Sequence, residues 1–126
     1  MIREHKELLL KDLSARLSYH VRLKVWLKDG TTEEGFLDLK HNYGDVLRDA
    51  FYYNEIIDIK PYLFPLSSMS EKQSKEYHEL IGGMCGTSAL INFEVLTDFF
   101  NSNHLDYRGL IEKSLALDAT NLRIYE

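Results

Sequence analysis

The sequence predicts an α+β domain, in which an N-terminal helix leads into a bent antiparallel sheet of three to five strands. Two or three C-terminal helices are expected to pack on that sheet. Three observations predict this class: leucines at helical spacing before residue 18, apolar–polar alternation over residues 19–39, and helix-start signals after residue 67. The 126 residues, 44% hydrophobic and 28% charged, suffice for one domain with a core. We expect residues 1–66 to form the helix and sheet, and residues 67–126 to be mainly helical.

The first helix is predicted over residues 3–17. Leu9, Leu10, Leu13 and Leu17 recur at the spacing of one helical face. Arg16 lies near the C-terminal end, where the helix dipole favours a cation. The leucine face is therefore expected to cover the sheet.

A β-hairpin is predicted over residues 19–39. A two-residue Asp29-Gly30 loop would bring the carboxylates of Glu34 and Asp38 onto the apolar face. A three-residue loop, closed by Gly30 in the left-handed region, avoids this by placing Leu27 opposite Thr31. The predicted inner pairs are Tyr19–Leu39, Val21–Leu37, Leu23–Gly35 and Val25–Glu33; the predicted outer pairs are Lys24–Glu34 and His20–Asp38, with Arg22 near Phe36.

Two further strands are predicted, over residues 45–53 and 56–60, after a turn at residues 41–44. Pro61 and Pro65 bracket residues 62–64. Because proline is poorly tolerated in central strands, that segment is expected to be an edge or a crossover.

The C-terminal half is predicted to contain three helices. Ser68 to Glu71 matches a capping box and would begin a helix ending near Leu80. A second helix is expected over residues 88–101, with Ile91, Val95 and Phe99 inward, and with Leu96 and Phe100 inward on the adjacent face. A third is expected over residues 107–116, with Asp106 as N-cap and an Arg108–Glu112 pair. Residues 121–126 could add a short strand.

Charge is divided unevenly along the chain. Residues 1–28 carry a net charge of +4 and the remaining residues −9, which gives −5 overall. The basic third could contact a nucleic-acid backbone, through the cations Arg3, Lys6, Lys11, Arg22, Lys24 and Lys28. The favoured interpretation is that it neutralises the acidic remainder, because strong non-specific binders are usually basic overall.

Motifs for catalysis, cofactors and metals are weak or absent in the sequence. Cys85 lies in a glycine-rich loop before a helix, where a thiol can become a nucleophile, but no partner histidine is indicated. His78-Glu79 lacks the second histidine of a zinc-protease motif, since Gly82 occupies that position. No cofactor and no metal are therefore expected. A single cysteine and no apolar run near 18 residues favour a cytoplasmic protein without a membrane span.

The predicted function is a non-enzymatic binding or accessory module that acts through protein contacts, with a protein partner or self-association. Aromatic side chains on a sheet can form a recognition surface. A nucleic-acid-binding module is the alternative, and a Cys85-dependent enzyme is the third. The candidate interaction surface comprises Arg22, Lys24, Trp26, Phe36, Tyr52 and Tyr62.

The chain resembles, in four blocks, a family of short uncharacterised proteins encoded by gut Bacteroidales, often in phage-like or other mobile regions. The blocks are residues 8–17, 59–69, 106–111 and 116–119. This resemblance implies no particular activity.

A second resemblance is local. Residues 25–30 and 35–37 are similar to the first two strands of Sm-like RNA-binding proteins, in which a helix leads into a bent small barrel. It implies a small half-open barrel as one form of the sheet. It does not imply RNA binding, because residues 41–45 replace the RNA-contacting loop motif and the second, Arg-Gly motif is missing.

Overall fold

The computed structural model describes residues 2–37, 56–82 and 89–125. Its α-helices are α1 (Arg3–Ala15), α2 (Glu71–Gly82) and α3 (Ala89–Ser102), and short 3-10 helices span Leu17–Tyr19 and Leu66–Ser68. Its strands are β1 (Arg22–Leu27), β2 (Thr32–Phe36), β3 (Ile56–Pro65), β4 (Leu105–Asp106) and β5 (Leu117–Asp118). The sheet order is β2-β1-β3-β4, and β5 also pairs with β3. The predicted α+β class is confirmed, and the described strands form an open sheet, not a closed barrel.

The β1–β2 hairpin has the register that the sequence predicts. The N–H of Leu27 donates to the Thr31 carbonyl at 2.8 Å, and Gly30 has a φ of 91°. The loop therefore has three residues and is closed by a left-handed glycine. The paired residues are Arg22↔Phe36, Leu23↔Gly35, Lys24↔Glu34, Val25↔Glu33 and Trp26↔Thr32. The predicted partners Asp38 and Leu39, and the strand predicted over residues 45–53, lie outside the described residues.

Strand β3 continues through Pro61 and ends at Pro65, so residues 62–64 belong to a paired strand and the predicted edge or crossover is wrong. Its first part pairs antiparallel with β1 as far as Pro61, which lies opposite Leu23. Its last part pairs in parallel with β5 and then with β4, ending at Pro65. Each proline stands where one partner strand ends, so its missing N–H does not interrupt a ladder. The sheet is consequently mixed, where the sequence predicts an antiparallel one.

The core lies on one face of the sheet, here called the inner face. Leu23, Ile59 and Leu63 point to this side and are at most 4% exposed. Leu9 and Leu13 of α1 pack there and are fully buried, as their helical spacing predicts. The same cluster includes residues from the segment between β4 and β5, namely Leu110, Leu115 and Ala116.

Helix α2 begins two residues later than predicted. The Oγ of Ser70 accepts the N–H of Gln73 at 3.1 Å, and Oε1 of Gln73 accepts the N–H of Ser70 at 3.0 Å. This is a capping box, displaced from the predicted one at Ser68 and Glu71. The Ser68 hydroxyl instead donates to the carbonyl of Pro65 at 2.7 Å.

Helix α3 lies within one residue of its predicted bounds, but one residue of its predicted inward face is exposed. Phe99 is 5% exposed, whereas Val95 is 43% exposed. The rings of Tyr77 and Tyr107 lie against Phe99 and Phe100 near the C-terminal end of the helix. Because these contacts concentrate one turn beyond Val95, its predicted burial is wrong.

The helix predicted over residues 107–116 does not form; turns link β4 to β5 instead. Asp106, the predicted N-cap, is buried, and its carboxylate oxygens accept the N–H groups of Leu110 and Ile111 at 2.8 and 2.9 Å. Gly109 and Ser114 have φ of 71° and 58°. Left-handed residues at both positions are incompatible with a continuous right-handed helix.

Arg108 pairs with α1 and not with the predicted Glu112. Its Nη1 donates to Oδ1 of Asp12 at 2.8 Å. The other oxygen of Asp12 accepts from Nε of Arg16 at 2.8 Å, and Arg16 Nη2 donates to the carbonyl of Leu105 at 2.6 Å. Asp12 and Arg16 are fully buried. This network fixes α1 against β4 and the turn that follows it.

The described part of residues 121–126 does not form the predicted strand. Instead, Tyr125 contacts both β1 and β3. The hydroxyl of Tyr125 donates to the carbonyl of Tyr62 at 2.5 Å and accepts the N–H of Arg22 at 2.9 Å. Its side chain therefore bridges the two strands where their direct pairing stops.

Candidate binding surface on the sheet

The side of the sheet opposite the core, here called the outer face, carries the predicted interaction residues of β1 and β2. Even-numbered residues of β1 point to this side because side chains alternate along a strand. The cross-strand register brings residues of β2 and β3 beside them. The outer face is thus defined by Arg22, Lys24, Trp26, Thr32, Glu34, Phe36, Asp58, Lys60 and Tyr62.

Cations lie over aromatic rings on this face. The guanidinium carbon of Arg22 is 5.2 Å from the ring centroid of Phe36. The ammonium groups of Lys24 and Lys60 are 5.4 and 5.5 Å from the ring centroid of Trp26. Each such contact is worth about 0.5–1 kcal/mol at an exposed site. The rings therefore hold three long cationic side chains in defined positions.

Lys24 and Lys60 lie directly opposite each other on β1 and β3. Like charges in this arrangement destabilise a sheet. Trp26 offsets part of the repulsion, because its ring attracts both ammonium groups. An anionic group placed between the two ammonium groups would offset the remaining repulsion, so the pair is suited to an acidic ligand.

Tyr62 belongs to the outer face by strand parity but contributes almost no surface, since it is only 7% exposed. Its hydroxyl donates to Oε1 of Glu34 at 2.5 Å. Burial and this hydrogen bond raise the pKa of Tyr62 to about 12, so the phenol stays protonated. Tyr62 thus holds Glu34 in place through a hydrogen bond, and it is not the exposed contact residue that the sequence predicts.

The structure brings together four of the six predicted surface residues: Arg22, Lys24, Trp26 and Phe36. Phe36 is 45% exposed and the other three are half-buried. Tyr52 lies outside the described residues. Lys60 joins this surface without being among the predicted residues, although the alternation in β3 between Ile59 and its charged neighbours places it opposite the core.

The cations of the N-terminal third are divided between the two sides of the sheet. Helix α1 covers the inner face, so its exposed Lys6 and Lys11 lie on that side. Arg22 and Lys24 lie on the outer face, and Arg16 is fully buried. Lys6 and Lys11 of the set predicted to contact nucleic acid therefore lie on the opposite side of the sheet from Arg22 and Lys24.

Comparison with family models, curated proteins and solved structures found no match. The resemblance to the Bacteroidales family thus stays a prediction. Over residues 2–37, 56–82 and 89–125, no helix is long and apolar enough to cross a membrane, and no three acidic, histidine or cysteine side chains group as metal ligands. Cys85 lies outside these ranges.

Proposed function

We propose that this protein is a non-enzymatic binding module whose outer face recognises an acidic segment of a protein partner. The observation that carries the proposal is the pair of opposed lysines, Lys24 and Lys60, whose ammonium groups both lie within 5.5 Å of the ring centroid of the half-buried Trp26. Aromatic residues and arginine are enriched among the energetic centres of protein interfaces. Trp26 and Phe36 would provide the apolar contact, and the cations would select acidic partners.

Both acidic residues among those that define the outer face have partners within it or beside it, and the cations outnumber them. Glu34 accepts the hydroxyl of Tyr62. Asp58 accepts the N–H of Ile59 at 2.9 Å and lies 3.8 Å from the ammonium of Lys60. Three cations therefore face two carboxylates that have partners of their own. Electrostatic complementarity of this kind chiefly sets specificity and association rate.

A protein partner is favoured over nucleic acid because the cations of α1 and of the outer face lie on opposite sides of the sheet. A nucleic-acid backbone is usually bound by a continuous basic stripe or patch. The outer face offers a compact cluster of three cations around aromatic rings. Such a cluster suits a short acidic segment better than a long phosphate backbone.

Trp26 provides the test, because it is the single tryptophan of the chain. Its fluorescence should change on titration with a synthetic peptide that alternates glutamate and leucine. The variant K24Q/K60Q should weaken peptide binding about tenfold, which corresponds to ~1.4 kcal/mol. The matched control K6Q/K11Q removes the same charge from α1 and should leave the affinity unchanged.

Two results would count against the proposal. Equal losses in K24Q/K60Q and K6Q/K11Q would mean that the affinity reflects overall charge and not the outer face. A single-stranded oligonucleotide that binds more tightly than the peptide, with an affinity falling steeply on addition of salt, would favour the nucleic-acid alternative.

A further inference from the structure

A polar groove that shares no lining residue with the outer face lies among the end of β3, the start of α2, the end of α3 and the C-terminal residues. Its volume is about 720 Å³, which is within the range of small-molecule sites, about 300–1,000 Å³. Phe64 and Tyr125 contribute aromatic rings, with centroids 5.8 Å apart. The groove is therefore large enough for a small organic molecule and has flat apolar surface to contact it.

The charges of the residues that line the groove favour a ligand of one sign. Among the described residues that line the groove, Arg123 is the one charged residue and none carries a carboxylate. The chain as a whole has 20 acidic against 15 basic residues. A described lining with one arginine and no carboxylate, in an acidic protein, favours a negatively charged ligand over a cation.

His104 lines the groove with a neutral ring. Its imidazole stacks on Tyr125, with centroids 3.7 Å apart and planes 10° from parallel. Burial, with the electrostatic influence of Arg16 and His20, lowers the pKa of His104 to about 4. Nδ1 is buried and has no hydrogen-bond partner among the described residues. Nε2 is thus the ring nitrogen left to contact a ligand.

The backbone around the groove is held in left-handed conformations that non-glycine residues rarely adopt. His104, Asn121 and Arg123 have φ of 55°, 67° and 52°. They are three of the five non-glycine residues with positive φ in the described ranges. Such conformations persist where the surrounding structure enforces them and concentrate at ligand sites. All three residues line the groove.

Other polar groups of the wall are satisfied internally. The side-chain amide of Gln73 donates to Oδ1 of Asn103 at 3.0 Å, and that of Asn103 donates to the carbonyl of Phe99 at 2.8 Å. Arg123 is exposed, and among the described residues it has neither an ion pair nor a hydrogen bond. The guanidinium of Arg123 is therefore the available charged donor.

We propose that this groove binds a small organic carboxylate with a flat ring, whose carboxylate pairs with Arg123 and whose ring packs against Phe64 and Tyr125. Guanidinium binds carboxylate through two parallel hydrogen bonds, which fixes the orientation of the ligand. One guanidinium suits a single negative charge. Asn121 and Nε2 of His104 supply further hydrogen bonds to polar substituents.

Benzoate is the probe, with benzamide as the uncharged molecule of nearly the same shape and inorganic phosphate as the anion without a ring. In ¹H–¹⁵N spectra of the full chain, benzoate should shift resonances of Phe64, His104, Asn121 and Arg123. The variant R123Q should weaken benzoate binding at least about fivefold. Since Arg123 is exposed, R123Q should keep the fold, and R3Q is the control that removes an equal charge from α1.

The proposal is supported if benzoate binds more tightly than both benzamide and phosphate and if only R123Q weakens it. It is overturned if benzoate leaves these resonances in place or if benzamide binds equally well. A phosphate affinity matching that of benzoate would overturn the ring contact, and equal losses in R123Q and R3Q would overturn the role of Arg123.

Discussion

Replacing Asp12 by asparagine should destabilise the protein severely, although the side chain keeps its shape. Asp12 is fully buried and receives Arg16 Nε and Arg108 Nη1, each at 2.8 Å. The D12N variant leaves the fully buried Arg16 guanidinium without its counter-charge. Removing one partner of a buried ion pair costs about 3–5 kcal/mol.

This loss is large against the whole stability of the domain. At about 0.05–0.15 kcal/mol per residue, a chain of this length has a free energy of unfolding of ~6–19 kcal/mol. Urea unfolding followed by circular dichroism should show a lower midpoint for D12N with an unchanged m-value. The R108Q variant should lose less, about 1.5–3 kcal/mol, because Arg108 is 17% exposed and water replaces part of its contact.

An exposed pair on the same helix gives the control. Arg3 and Glu7 are also four residues apart, with Nε and Oε1 at 3.0 Å, but their side chains are 90% and 65% exposed. The E7Q variant should lose only about 0.3–0.5 kcal/mol. If D12N lost no more stability than E7Q, burial would not be what makes the Asp12 network essential.

Three further outcomes are expected. The G30A variant should lose about 1–2 kcal/mol of its free energy of unfolding, because Gly30 has a φ of 91°. The G82A variant should not lose stability, because a Cβ at Gly82 meets no atom within 4 Å. Similar urea midpoints for the two variants would contradict the left-handed turn at Gly30. The S70A variant should lose about 1 kcal/mol of its free energy of unfolding, and S68A only a few tenths. The reverse order would mean that Ser68 begins the capping box, as the sequence predicts. The pKa of His104 is about 4 in the folded protein and 6.5 in the unfolded chain. Between these pH values the unfolded chain binds more protons, so the free energy of unfolding should fall as the pH is lowered from 6.5 towards 4. The H104N variant should reduce this slope, and an unchanged pH dependence in its urea unfolding would contradict the assignment.

The hairpin shows how far local patterns determine the fold. The parity of apolar residues excludes a two-residue loop, and the observed pairing of Leu23 with Gly35 follows from that argument alone. The capping box shows the limit of such patterns. Ser68 and Ser70 both match its start, and the contact of Ser68 with Pro65 decides between them.

The segment after Asp106 shows why a helical pattern can fail. Its carboxylate accepts two backbone N–H groups, and Arg108 turns towards Asp12, 96 residues earlier in the chain. These interactions satisfy groups that a helix would have used internally. The pattern of residues 107–116 gives no information about the distant partner Asp12, so it predicts the wrong structure.

The sequence by itself determined the α+β class, the hairpin register and the side on which Arg22, Lys24 and Trp26 lie, because strand and helix periodicity depend on neighbours in the chain. Only the tertiary structure placed Lys60 opposite Lys24, buried Tyr62 against Glu34, and stacked His104 on Tyr125. Those contacts join segments far apart in sequence. Their formation depends on which strands pair and which charged groups are buried, and the local periodicity of the sequence predicts neither.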